Sequence, residues 1–280
     1  MSTIDYQTVA TRFVDAAGVR IAYRRFGATG DVPLVFLNRF RGTMDHWDPA
    51  LLEVIAAERP IIVFDSAGVG SSGGEVAPDI AGAARVAAAF IDALGLARVD
   101  VLGWSMGGAV AQALALDRPD LVRRLVLAGT GPGGVAEAPR APEKVWQVAS
   151  KPENDDEDFL YLFFDETPTS RAAGRASLAR IARRLATSNA AVRPASWKAQ
   201  AGAIAAWGMG KGSSHARLSE IRAPTLVANG VRDVMVHAYN SYVMSQRMPD
   251  ARLVLYPDAG HGFLFQYPAE FGRQVNDFLR

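Results

Sequence analysis

The chain has 280 residues and a formal net charge of +1, with 30 basic and 29 acidic side chains. Hydrophobic residues make up 49% of it and charged residues 21%, proportions typical of a globular protein with a substantial core. The balanced charge argues against nucleic-acid binding, which needs a clustered basic face. The absence of cysteine excludes disulfides, thiolate metal sites and cysteine nucleophiles.

The N-terminal segment Met1–Arg12 is polar and lacks the basic and then apolar regions of a signal peptide, so none is expected. No charge-free apolar stretch reaches the roughly 18 residues of a membrane span. The alanine-rich run Ile80–Leu96 contains Arg85 and Asp92 and therefore predicts an amphipathic core helix. Together with the lack of cysteine, these features favour a cytoplasmic protein that does not act at a membrane. They leave its oligomeric state open.

Strand-like and helix-like segments alternate along the first half of the chain and again near its end. Val19–Phe26 alternates apolar and polar residues, as a half-exposed strand does, and the other strand-like segments are short apolar runs typical of buried strands. The seven predicted strands are Val19–Phe26, Pro33–Leu37, Ile61–Phe64, Val99–Gly103, Leu121–Ala128, Thr225–Ala228 and Arg252–Tyr256. Helices are predicted after several of them, at Met106–Leu116 and Pro268–Arg280 for example. This alternation predicts an α/β protein with a mostly parallel sheet.

The alternation stops between about Gly133 and Ser219, where no buried strand is evident. This segment is rich in alanine and arginine and is too apolar for a disordered spacer, so it predicts a helical insertion. We therefore expect a core formed by residues 1–132 and 219–280, with residues 133–218 inserted as a helical unit.

The segment Gly103–Gly107 (G-W-S-M-G) matches the pattern G-x-S-x-G and lies between a predicted strand and a predicted helix. In that context the serine occupies a tight, strained turn at the carboxyl end of the sheet. Glycines two positions to either side allow the strand and the helix to approach each other closely. Gly103 and Gly107 satisfy this need, so Ser105 is predicted to be a nucleophile.

A serine nucleophile needs a base, and the chain has four histidines. His261 directly follows the strand Arg252–Tyr256 and is flanked by glycines, so its loop can bend toward the serine. His261 is therefore the predicted base. The remaining histidines, His46, His215 and His237, are interpreted as structural or surface residues, with His46 as an alternative residue of the site. Because the histidines are scattered and no paired-carboxylate motif appears, no metal site is expected.

The base in turn needs an acid that orients the imidazole. Asp233 follows the strand Thr225–Ala228 and lies between Ser105 and His261 in the chain. Asp233 is therefore the predicted acid, and Ser105, His261 and Asp233 form a predicted catalytic triad. A helix-capping role for Asp233 is the alternative. Asp258 is too near His261 in sequence to reach it easily across the loop.

With these motifs the chain resembles the α/β-hydrolase superfamily over nearly its whole length. The resemblance implies an eight-stranded sheet, a helical cap inserted after strand six, acyl transfer without a cofactor, and the chain order Ser…Asp…His. Serine at the nucleophile position argues against the haloalkane dehalogenases and epoxide hydrolases, which use aspartate there. The segments that carry the resemblance are Asn38–Gly42, Asp65–Ser72, Gly103–Gly108, Gly230–Asp233 and Gly260-His261.

The resemblance also implies an oxyanion hole formed by two backbone N–H groups, those of Met106 and Phe40. Members often carry His-Gly before the second donor, whereas this chain has Asn38 and Arg39. The N–H of Phe40 can still donate, because a backbone donor depends on the turn and not on the side chain. Arg39 and Arg41 either bind an anionic or carbonyl-rich substrate, or they pair with surface carboxylates or brace the loop.

Two tryptophans are further candidates for substrate contacts. Trp104 precedes the nucleophile and faces either the site or the core, and Trp207 lies near the end of the predicted cap. The favoured function is hydrolysis of a small carboxylic ester or lactone. C–C bond hydrolysis or cofactor-free perhydrolysis with the same triad, and non-catalytic binding of a small ligand, are the alternatives.

Overall fold

A computed structural model describes residues 6–188 and 190–280. Eight strands form one sheet in the order β1-β2-β4-β3-β5-β6-β7-β8. Pairs β1–β2 and β2–β4 are antiparallel and the others parallel, which confirms the predicted mostly parallel α/β sheet. The strands are β1 Arg12–Ala16, β2 Val19–Gly27, β3 Leu34–Leu37, β4 Pro60–Phe64, β5 Val99–Trp104, β6 Val122–Ala128, β7 Thr225–Gly230 and β8 Ala251–Tyr256.

Helices cover both faces of the sheet and occupy the long connection between β6 and β7. The α-helices of the described residues are α1 Pro49–Ala56, α2 Ile80–Ala93, α3 Met106–Asp117, α4 Glu143–Ala149, α5 Asp156–Phe163, α6 Pro168–Leu185, α7 Pro194–Gly208, α8 Tyr239–Arg247, α9 Phe263–Gln266 and α10 Pro268–Phe278. Short 3₁₀ helices lie at Tyr6–Thr8, Met44–His46 and His215–Glu220. Among the described residues, none of the helices is long and apolar enough to cross a bilayer.

The central strands are buried on both faces, and their side chains alternate between two hydrophobic clusters. Leu34 and Phe36 of β3 point into one cluster, whereas Val35 and Leu37 point into the other. This alternation follows from the two-residue period of a strand. It explains why these strands are uninterrupted apolar runs in the sequence.

Strand β1 is absent from the sequence-based prediction. Its sequence is mixed and it lies at the edge of the sheet, so most of its residues are not buried. It pairs with β2 through a two-residue turn, Ala17-Gly18, in which both residues have positive φ. Such turns are usually signalled by Asn-Gly or Asp-Gly, and alanine at the first position gives no such signal.

The connection between β6 and β7 contains α4 to α7 and, among its described residues, no strand. The predicted range 133–218 encloses these four helices. The last of them also packs into the core: Ala203 and Trp207 of α7 join the same hydrophobic cluster as Val110 and Leu114 of α3.

Buried carboxylates on the core side hold helix α6 in place. Asp48, the N-cap of α1, is fully buried and accepts hydrogen bonds from Nε and Nη2 of Arg180 at 2.8 and 2.7 Å. Ser177 donates to the same carboxylate at 2.6 Å. These contacts tie the helical insertion to the loop that follows β3.

A second carboxylate of that loop, Asp45, accepts hydrogen bonds from Arg24, Arg184 and Ser188. Burial by itself would raise the pKa of Asp45, but these hydrogen bonds hold it below its usual value. Asp45 therefore stays ionised and joins the core strand β2 to the end of α6.

Candidate active site

Ser105 occupies the turn between β5 and α3, with backbone angles φ 57° and ψ −120°. Positive φ is strained for a residue with a side chain and is tolerated where neighbouring contacts fix the backbone. The Ser105 N–H donates to the carbonyl of Ala128 at 2.9 Å, and its carbonyl accepts from the Thr130 hydroxyl at 2.8 Å. The turn is thus held by the strand next to it, β6.

The glycines around Ser105 are required by close backbone contacts. A Cβ on Gly103 would lie 2.3 Å from the carbonyl oxygen of Gly107. A Cβ on Gly107 would lie 2.0 Å from the carbonyl oxygen of Leu37, at the end of β3. Helix α3 can therefore start directly against β3 and β5 only because both positions lack a side chain.

His261 and Asp233 are joined by a hydrogen bond of 2.7 Å between Nδ1 and Oδ2. Both side chains are buried, and Oδ1 of Asp233 accepts from the N–H groups of Met235 and Val236, each at 2.8 Å. The carboxylate is thereby held in one orientation. Asp258 bonds instead to the Thr167 hydroxyl.

The hydrogen bond to Asp233 determines the state of the imidazole. A proton on Nδ1 satisfies the carboxylate and leaves the lone pair of Nε2 free to accept a proton. Nε2 of His261 is buried and has no hydrogen-bond partner among the described residues. The arrangement therefore presents an unoccupied base in the same cavity as Ser105.

The loop after β3 brings Phe40 to this cavity. Within the described chain, no hydrogen bond is formed by the N–H of Phe40 or by that of Met106, the first residue of α3. Asn38 fixes the loop: its amide donates to the carbonyl of Phe64 at 2.8 Å and accepts from Nε1 of Trp47 at 2.6 Å. Two free N–H groups, one at the positive end of a helix, are suited to an oxyanion.

Ser105 and His261 open onto a cavity of about 320 Å³, within the size range of small-molecule sites. One part of its wall comes from the core and the other from the insertion. The core residues are Arg39, Phe40, Arg41, His46, Ser105, Met235 and His261, and those of the insertion are Ala149, Asn154, Phe159, Leu162, Phe163, Leu185, Ser188, Ala190, Ala191 and Val192. In the described part of the chain, no group of three or more His, Asp or Glu side chains is arranged to hold a metal ion.

Comparison with known proteins identifies the family to which this fold belongs. A family model described as the alpha/beta hydrolase fold matches residues 32–268. The chain belongs to the α/β-hydrolase family. An α/β-hydrolase fold protein from Chitinophaga pinensis has a solved structure with 35% identity and a TM-score of 0.89, and the match covers 98% of both chains.

Relatives of this hydrolase differ in the reactions for which they are named. A poly(3-hydroxyalkanoate) depolymerase from Ectopseudomonas oleovorans is 30% identical over 95% of this chain and 90% of its own. A 2-hydroxy-6-oxo-6-phenylhexa-2,4-dienoate hydrolase from Burkholderia cepacia is 28% identical over 80% of this chain and 78% of its own. These names support a hydrolase.

The two predicted tryptophan contacts lie elsewhere in the hydrolase. Trp104 is buried behind the imidazole, and its Nε1 donates to the carbonyl of His261 at 3.1 Å. Trp207 is buried in the hydrophobic cluster that also contains residues of α3, and its Nε1 donates to the carbonyl of Gly131. Neither is among the cavity-lining residues that the structure describes, because each ring packs into a hydrophobic cluster.

Arg41 lines the cavity of the hydrolase, and its side chain holds the loop after β3 against the insertion. Its Nη1 and Nη2 donate to the carbonyls of Ala149, Lys151 and Pro152, at 2.6 to 3.0 Å. Its backbone has a φ of 55°. The backbone N–H of Arg41 donates to the side chain of Gln200 at 3.0 Å. Of the roles expected for this arginine, the observed contacts are those of bracing the loop, and they are made to backbone carbonyls.

Only some of the residues that line the cavity of this hydrolase were identified from the sequence. His46, kept as an alternative, lines it, whereas His237 is exposed and His215 lies in the last 3₁₀ helix of the insertion. Phe159 and Phe163 on α5 were not identified from the sequence. Their four-residue spacing predicts a shared helix face, but that signal cannot tell a cavity wall from a core face.

Proposed function

We propose that the protein is a serine hydrolase that cleaves a small carboxylic ester or lactone, with Ser105, His261 and Asp233 as its catalytic triad. The observation that carries the proposal is the buried Asp233–His261 pair, whose free Nε2 shares a cavity with a serine on a strained turn. This combination matches the roles of acid, base and nucleophile in acyl transfer. The depolymerase relative favours ester chemistry.

In the first half of the reaction, the oxygen of Ser105 attacks the carbonyl carbon while its proton passes to Nε2 of His261. The tetrahedral intermediate places its negative oxygen between the N–H groups of Phe40 and Met106. His261 then gives the proton to the leaving alcohol, and the carbon–oxygen bond to that alcohol breaks. Asp233 stabilises the imidazolium throughout.

In the second half, His261 removes a proton from water, which attacks the acyl-enzyme. The same two N–H groups hold the oxyanion, and collapse of the intermediate releases the carboxylic acid and restores Ser105. No cofactor is required by these steps.

C–C bond hydrolysis is the second candidate, because a relative named as a dienoate hydrolase aligns with most of the chain. The same triad would serve it, with a carbanion as the leaving group in place of an alkoxide. A diketone cleaved faster than any ester would favour this reaction.

The proposal predicts that Ser105→Ala lowers kcat for p-nitrophenyl esters and lactones by at least about 1,000-fold, since the nucleophile is lost. Turnover is followed by absorbance, and a fluorophosphonate label on the wild-type protein is located by mass spectrometry. Ser245→Ala, on α8, removes a serine hydroxyl away from the cavity and serves as the control.

A fluorophosphonate label on any residue other than Ser105, or full turnover by Ser105→Ala, would contradict the assignment of Ser105 as the nucleophile. Ligand binding without product in the wild-type protein would favour the non-catalytic alternative.

A further inference from the structure

The guanidinium of Arg39 is buried without a full set of hydrogen-bond partners. Arg39 is 8% exposed, and its Nη1 donates to the carbonyl of Phe40 at 2.7 Å. Its Nε is buried and has no partner among the described residues. A guanidinium has five N–H donors, and leaving them unsatisfied in a buried position is costly. This group is therefore poised for an acceptor that occupies the cavity.

Aromatic rings surround the same guanidinium. Its Cζ lies 5.0 Å from the ring centre of Phe163, 5.6 Å from that of Trp104 and 5.7 Å from that of Phe159. These rings hold the cation in one position and exclude water from it. They supply no oxygen acceptor, so they orient the N–H donors without satisfying them.

Among the cavity-lining residues that the structure describes, no carboxylate balances this charge. Among the described lining residues there is no Asp or Glu, and the cations are Arg39 and Arg41. Arg41 donates to three carbonyls of the insertion, whereas Arg39 keeps free donors. Burial, and then Arg41, lower the pKa of Arg39 to about 9, so it remains a cation at neutral pH. The cavity therefore favours an anion.

His46 adds a neutral donor to this cavity. Burial, and then the charge of Arg39, lower the pKa of His46 to about 3. The ring is therefore neutral at pH 7. Its Nδ1 accepts from the N–H of Thr43 at 3.1 Å, so the single proton resides on Nε2. A neutral imidazole beside Arg39 adds no competing carboxylate and can supply an N–H.

We propose that Arg39 binds a free carboxylate of the substrate, which makes the hydrolase selective for esters or lactones that carry a second, ionised carboxyl group. This inference rests on the proposed function, because it names the substrate class of the same site. Arg39 directly precedes Phe40, whose N–H is the proposed oxyanion donor. The carboxylate and the reacting carbonyl therefore belong to one compact molecule, such as the half-ester of a short dicarboxylic acid.

Selectivity is tested with two esters of equal acyl length, mono-p-nitrophenyl glutarate and p-nitrophenyl pentanoate. The wild-type protein should have the higher kcat/KM for the glutarate. In Arg39→Gln the ratio of the two kcat/KM values should fall by about 10- to 100-fold, the range for a lost hydrogen bond to a charged group. Arg39→Lys keeps the charge but loses the planar fork, so its ratio should lie between the two.

Arg183→Gln is the matched control, because Arg183 is an exposed arginine on α6 and its removal changes the net charge equally. Its selectivity ratio should equal that of the wild type. Melting temperatures of all variants are measured. Removing a buried, incompletely paired cation should leave the melting temperature of Arg39→Gln unchanged or higher, so unfolding would not account for a lost preference.

A binding measurement separates this inference from the proposed function. Monomethyl glutarate is titrated calorimetrically into Ser105→Ala and into Ser105→Ala/Arg39→Gln, with no turnover needed. Weaker binding to the double variant by about 10-fold or more supports the carboxylate site even if no ester is cleaved. Equal affinity in both, together with an unchanged selectivity ratio in Arg39→Gln, would overturn it and leave Arg39 with a purely structural role.

Discussion

The turn that carries Ser105 requires neighbouring residues that have no Cβ atom. Gly107 lies against the carbonyl of Leu37, where no Cβ fits. Gly202, in the middle of α7, is exposed, and a Cβ there would meet nothing within 4 Å. The two glycines therefore belong to opposite cases, one required by a close approach and one replaceable.

Alanine substitutions at these glycines should change stability in opposite directions. Gly107→Ala should destabilise the protein by about 2–3 kcal/mol or more, since backbone must shift to admit the methyl group. Gly202→Ala should stabilise it by up to about 1 kcal/mol, the helix-propensity difference between the two residues. Urea unfolding measures both values. A Gly107→Ala variant as stable as the wild type would show that α3 is not held against β3 as described.

A position could be predicted from the sequence where a residue type is linked to a backbone geometry. Prediction was weaker where tertiary packing decides which way a side chain points. The G-x-S-x-G spacing and the loops after β7 and β8 identified residues that the structure brings to one cavity or joins by a hydrogen bond. The direction of Trp104 was left open, because a tryptophan beside a site can pack on either side of it. Its burial follows from neighbours distant in sequence, among them Trp47 and Phe265.

At the scale of elements, two ion pairs on helix α6 have very different surroundings. The Arg180–Asp48 pair joins the insertion to the core, with the Arg180 side chain 31% exposed and that of Asp48 0%. The Arg175–Glu157 pair is 59% and 66% exposed and links two helices of the insertion. Exposed pairs contribute little to stability, whereas breaking a buried pair leaves an uncompensated charge.

Arg180→Met should therefore lower stability by about 3 kcal/mol, since it leaves the Asp48 carboxylate buried without its cation. For a chain of this size that corresponds to a drop in melting temperature of about 6–12 °C. Arg175→Met, on the same helix, should change stability by less than about 1 kcal/mol. Calorimetry compares the two, and an equal effect would mean that the Asp48 contact does not anchor α6.

Most core elements were predictable because buried parallel strands are distinctive apolar runs. The edge strand β1 was not, because its mixed sequence and its alanine-glycine turn lack the usual signals. The insertion could be predicted as helical from its composition. The way in which α5 presents Phe159 and Phe163 to the cavity depends on tertiary packing, for which its own sequence gives no sign.

For the molecule as a whole, the neutral state of His46 links stability to pH. Its pKa is lowered from 6.5 to about 3 in the folded protein, by burial and by Arg39. Between about pH 3 and pH 6.5, the unfolded chain therefore binds a proton that the folded protein does not. The stabilising contribution is complete above pH 6.5 and is lost as pH falls from there toward about 3, by at most about 1.4 kcal/mol per pH unit.

His46→Gln should remove this pH dependence. At pH 7 the variant should be less stable than the wild type by about 1 kcal/mol, because a hydrogen bond with Thr43 is weakened. At pH 4.5 the difference should shrink or reverse. Thermal unfolding across this range measures it, with His237→Gln, at an exposed histidine, as the reference for loss of a histidine. A constant difference between His46→Gln and the wild type would contradict the assignment.

The two parts of the cavity wall have a consequence for how such a protein diversifies. All described ionisable groups on the wall lie in the core segments, whereas the insertion contributes apolar side chains and the neutral polar groups of Asn154 and Ser188. Charge preference and shape preference are thus encoded in separate stretches of the gene. Exchange of the insertion for that of another family member would alter the size and contour of an accepted ligand and keep the charge of Arg39. It would also replace Phe159 and Phe163, two of the three rings around the guanidinium, so the new insertion would have to supply rings that hold the cation in the same position.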